Sequence, residues 1–97
     1  MLVLPNAQIR ALKAQAQRLK ATLKIGREGV SPQFLAALDL ELNHRELVKV
    51  KFDEFKEHKK ELAPQLAEKS SSHLVTRVGN VVVLYRPRPM DFRFAEF

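Results

Sequence analysis

Between Ile25 and Ser31 the chain reads Gly26-Arg27-Glu28-Gly29-Val30. Glycines three residues apart let a backbone come close to a phosphate, because no Cβ stands in the way. Ser31 is a helix-capping residue, and Pro32 falls at the first helical position, where a missing N–H costs nothing. The start of such a helix offers unpaired N–H groups and the positive end of its dipole to an anion. Arg27 adds a charged donor inside the loop, and Glu28 stands beside it. A bare GxxG quartet is most often only a turn, so its meaning depends on what surrounds it. The loop lacks the Lys-Ser/Thr of a nucleotide-binding P-loop, so no ATP hydrolysis is expected of it.

The surroundings are basic. The chain of 97 residues has a formal net charge of +6 and a pI near 10.0. Residues 1–30 hold Arg10, Lys13, Arg18, Lys20, Lys24 and Arg27 against the single acid Glu28. Residues 31–69 are close to neutral, and residues 70–97 are mildly basic. Charge concentrated in one third of a sequence points to a polyanionic partner more strongly than charge spread evenly.

The elements that must position these groups follow from periodicity. Asn6 is a candidate cap for a helix over residues 7–20, with Ile9, Leu12, Ala16 and Leu19 as its apolar stripe. Arg10, Lys13, Gln17 and Lys20 repeat that spacing one residue later, which puts a basic edge about 100° around the helix. Thr22–Ile25 alternates as a short strand, and the glycine loop follows it. The second helix has Phe34, Leu35, Leu38 and Leu42 as its core face and ends near His44 or Arg45. In Leu47–Phe52, Val48, Val50 and Phe52 point one way and Lys49 and Lys51 the other. Asp53 caps a third helix running to Lys69; Pro64 inside it implies a kink or a later start. His73–Val78 and Val81–Arg86 form a hairpin around the turn pair Gly79-Asn80.

The order α-β-α-β-α-β-β predicts an α/β two-layer sandwich with a four-stranded mixed sheet and its helices on one face. Lys24, Lys49 and Lys51, joined by Arg77, are expected on the outward face of that sheet. Residues 1–87 read as one domain. Residues 88–97 read as a tail that is an added edge strand, an interface or disordered.

Glycine loops of this kind clamp the RNA backbone in KH modules. Three segments in order, Leu19–Ser31, Glu46–Lys51 and Val78–Pro87, resemble the YhbY-like proteins, which are built from one CRM domain (chloroplast RNA splicing and ribosome maturation). The resemblance covers most of residues 7–87. It implies an RNA-binding domain similar in fold to the C-terminal domain of bacterial initiation factor three. It also implies association with rRNA in precursors of the large (50S) ribosomal subunit. Gly26 and Gly29 carry over as the glycine loop, Lys49 and Lys51 as the lysine strand, and Arg86 as the strand-end arginine. With the basic edge and the rest of the loop, the expected RNA contacts are Lys13, Lys20, Lys24, Gly26, Arg27, Glu28, Gly29, Lys49, Lys51 and Arg86. Pro64 and the phenylalanine-rich tail depart from the family pattern.

Other functions find less support. There is no cysteine, which removes disulfides, thiolate nucleophiles and cysteine zinc sites together. His44, His58 and His73 lack metal-ligand spacing, and no serine sits in a nucleophile elbow. No catalytic residue, metal, cofactor or small-molecule substrate is expected. The opening Met1–Asn6 lacks the pattern of a secretory signal, and Val81–Tyr85 is too short to span a bilayer, so a cytoplasmic protein without a membrane partner is expected. One tyrosine and no tryptophan leave few groups for base stacking. The runner-up is a protein-interaction module that docks on an acidic partner, with Phe92, Phe94 and Phe97 as its anchor. A DNA-binding domain ranks below it, because no helix-turn-helix spacing is present.

Overall fold

Leu47-Val48 and Val82-Val83-Leu84 put apolar side chains on both faces of two strands, and this decides the layering. A computed structural model describes residues 4–87. The tail at 88–97, with the three readings attached to it, lies outside the described residues. The element order is α1 (Asn6–Ala16), β1 (Leu23–Ile25), α2 (Pro32–Arg45), β2 (Leu47–Phe52), a 3₁₀ turn (Lys56–His58), α3 (Lys59–Lys69), β3 (His73–Val78) and β4 (Val81–Tyr85). The strands form one sheet in the order β1-β2-β4-β3. β1 runs parallel to β2, as a strand–helix–strand connection requires, and the other pairings are antiparallel. Gly79, at φ +58, makes the turn into β4.

Two cores lie on opposite faces of the sheet. Ile25, Val48, Val50, Phe52, Val82 and Leu84 pack against Leu38 and Leu42 of α2 and Ala63, Leu66 and Ala67 of α3. Leu47, Val75 and Val83 point the other way and pack against Leu12 and Ala16 of α1, flanked by Ile9, Leu19 and Tyr85. The mixed four-stranded α/β sheet is as the sequence reads, but the helices do not share one face. α1 covers the second face, making three layers. The unbroken apolar run Val81–Tyr85 carries the reason, since a strand with only one buried face alternates.

Three local expectations change. Asn6 is the first residue of α1 and Pro5 takes the cap position, with no side-chain cap bond. α1 also stops at Ala16 rather than near 20, where Lys49 Nζ donates to the carbonyls of Ala16 (3.0 Å) and Leu19 (2.9 Å). Asp53 does not cap α3, which begins at Lys59 after the 3₁₀ turn; of the two outcomes expected from Pro64, the late start is the one found. α2 begins as read: Ser31 Oγ accepts from Phe34 N at 3.1 Å, and Pro32 opens the helix.

Candidate nucleic-acid interface

The β1–α2 loop closes as a turn in which Gly29 N donates to Gly26 O at 3.0 Å. Its two glycines serve differently. Gly29 sits at φ +66, where a side chain is strained, and a Cβ there would meet Phe55 Cε2 at 3.3 Å. Gly26 is exposed, and a Cβ there would meet nothing within 4 Å. The fold therefore favours a glycine at 29, whereas at 26 the backbone is simply left open. Arg27 and Glu28 are exposed, and neither makes an ion pair among the described residues.

β1 and β2 bring Lys24 and Lys51 into register as neighbours on the α1 side of the sheet. Both are exposed, and neither has an acidic partner among the described residues. Like charges set side by side repel, so such a pair gains from an anion laid across it. Lys13 and Lys49 line an open, largely apolar groove of about 510 Å³ on the same side, floored by Thr76, Val81 and Val83. Lys20 is exposed in the segment between α1 and β1.

Two expected contacts are otherwise engaged. Lys49 is half-buried and closes the C-terminal end of α1. Arg86 is held from four directions: Nη1 donates to Asp39 Oδ1 and Ser70 O, both at 2.8 Å, and Nη2 donates to Asn43 Oδ1 (2.9 Å) and Asp39 O (3.1 Å). Its side chain is 16% exposed. It ties α2 to the end of α3, where Ser70 and Ser72 are buried and share a 2.7 Å hydrogen bond. Arg77 does not join the lysines, because its register partner Val82 faces α2 and α3. The irregularity between Leu74 and Thr76 shifts the alternation that placed Arg77 with them.

One residue beside the loop is not singled out by the sequence. Reading the third helix from Asp53 hides Phe55 in it. In the fold, Phe55 stands in a turn beside Gly29, left-handed and 38% exposed. An aromatic three residues beyond the last inward position of β2, outside its alternation, was the available signal. Among the described residues, no three His, Asp or Glu side chains come together to hold a metal ion, and no helix is long and apolar enough to cross a membrane.

A three-layer α/β domain with an open glycine loop and an unpaired lysine couple has the form of a polyanion-binding module. The sequence model of the CRS1/YhbY (CRM) domain family matches residues 4–86, and the chain belongs to that family. It is 37% identical over 82 residues to a protein of Methanocaldococcus jannaschii named a probable RNA-binding protein. That match covers 81% of this chain and only 60% of its relative. It is 33% identical over 85 residues to the probable RNA-binding protein YqeI of Bacillus subtilis, covering 87% of this chain and 88% of that one. The fold is similar to the solution structure of the hypothetical protein SAV1595 from Staphylococcus aureus, described as a candidate RNA-binding protein. The TM-score is 0.75 at 34% identity, over 88% of this chain and 90% of the other. The family is one of binding proteins and not of enzymes.

Proposed function

We propose that the chain binds RNA by its phosphate backbone, using the Gly26–Gly29 loop with Arg27 and the exposed lysines Lys24 and Lys51, flanked by Lys13 and Lys20. The observation that carries this reading is the unpaired register couple Lys24–Lys51, on the strands that end beside the exposed loop. Family membership and the names of the relatives support RNA as the polyanion. The target we propose is rRNA in precursors of the large ribosomal subunit, which makes the protein a cytoplasmic ribosome-assembly factor whose RNA-binding domain spans residues 1–87.

A salt titration of affinity for single-stranded RNA tests the mode. Neutralising about four phosphates gives a slope of roughly −3 in log affinity against log salt, so raising salt from ~50 to ~200 mM weakens binding about 60-fold. Affinity that does not respond to salt contradicts the backbone reading and favours docking on a protein. Crosslinking RNA to the protein in cells and sequencing it tests the target: enrichment of large-subunit rRNA precursors is expected, and their absence contradicts the assembly role.

A further inference from the structure

Phe52 and Phe55 are three residues apart and have opposite environments. Phe52 is fully buried in the core under α2 and α3. Phe55 is 38% exposed, at φ 59 and ψ 30, a left-handed conformation that bulky side chains rarely adopt. Its ring edge lies beside Gly29, with Cε2 3.3 Å from the place a Cβ there would take. Two backbone hydrogen bonds fix this arrangement: Asp53 N and Glu54 N both donate to Ile25 O at 3.0 Å, joining the turn after β2 to the residue just before the glycine loop. The ring therefore belongs structurally to the loop and stays partly open to solvent. Unusual conformations held by surrounding structure collect at functional positions.

We infer that Phe55 is a stacking platform for an unpaired nucleobase of the RNA strand whose phosphates lie on the Gly26–Gly29 loop. This rests on the RNA-binding reading and adds a base contact to a backbone contact. The chemistry around the ring fits a nucleotide. Lys56, the next residue in the chain, and Arg27, in the loop beside which the ring packs, are both exposed. The exposed acids Glu28, Asp53 and Glu54 repel a phosphate beside the ring as they would an acidic peptide, so what the ring offers there is its face to an uncharged base. Aromatic side chains beside a basic backbone track are the usual means of holding single strands, because every base has a face to stack.

The test uses the full chain with a single-stranded octauridylate RNA, and an abasic ribose-phosphate octamer as its control. Phe55→Leu keeps an apolar contact with Gly29 but loses the aromatic face. It is expected to weaken octauridylate binding at least fivefold, with the salt slope unchanged because no phosphate contact is lost. Phe55→Tyr should bind within twofold of the parent, and all three proteins should bind the abasic octamer alike. If the parent binds and Phe55→Leu binds equally well, the stacking role is overturned while the RNA reading stands. A loss accompanied by a shallower salt slope, or equal losses on both octamers, also overturns it, by tracing the effect to a disturbed loop. If the parent binds neither octamer, the RNA reading itself fails and the inference falls with it. Photocrosslinking of an octamer carrying 5-iodouridine to the parent needs no variant: an adduct on the peptide containing Phe55 is expected, and adducts only elsewhere contradict the role.

Discussion

At the end of the sheet where β2 begins, Arg86 is gripped by Asp39, Asn43 and the carbonyl of Ser70, and Arg86 N donates to Glu46 O at 2.9 Å. At the end where β1 and β2 finish, Arg27, Lys24 and Lys51 lie exposed and make no ion pair among the described residues. Both ends contain cations expected to meet RNA. The difference is whether the cation's partner is already inside the fold. A guanidinium surrounded by the chain's own acceptors is an internal strut, whereas a couple of unpaired lysines beside an open backbone turn still lacks a counter-charge.

The largest effect that would sharpen this contrast is on stability. Arg86→Ala removes four hydrogen bonds and a largely covered side chain at the α2–α3 junction and should cost about 2 kcal/mol of unfolding free energy in denaturant titrations. RNA affinity per folded molecule should not change; a variant of normal stability that binds weakly would move Arg86 to the interface. Next comes Lys49→Met, expected to cost about 1–2 kcal/mol because the carbonyls of Ala16 and Leu19 lose their donor. Lys51→Met, two residues along the same face, should shift stability by less than about 0.5 kcal/mol. The glycines should divide similarly: Gly29→Ala is expected to cost about 1 kcal/mol or more from its positive φ and the adjacent ring. Gly26→Ala should melt like the parent and lose affinity by obstructing close approach. Equal melting of the two glycine variants would break that distinction. The smallest effect expected is from Lys24→Ala, a loss of affinity of about three- to fivefold with a salt slope shallower by about 0.7.

Much of the fold was legible. The Ser31-Pro32 helix start, the two-residue hairpin at Gly79-Asn80 and the parallel β1–β2 pair follow from local chemistry and connection rules. What escaped depends on partners distant in sequence. The position of α1 on the second face requires knowing that Val83 and Leu47 are buried on the side away from Leu84 and Val48. The early end of α1 requires knowing that Lys49 reaches back some thirty residues to Ala16 and Leu19. For the site, residue type alone cannot separate Lys49 from Lys51, or Arg86 from Arg27. A cation's role is set by the acceptors that the fold brings to it, and those acceptors sit on α2 and at the C-terminal ends of α1 and α3.

As proposed, the Gly26–Gly29 loop is an RNA-binding site and not only a turn. Arg27→Asp tests it most directly, with a thermal melt and an RNA titration on the same sample. An exposed residue without an ion-pair partner can change sign with little effect on folding, so the melting temperature should stay within about 2 °C of the parent. Affinity for single-stranded RNA should fall about tenfold or more, through loss of a charged donor and added repulsion, with a shallower salt slope. A variant that melts like the parent and binds RNA as tightly would contradict the account.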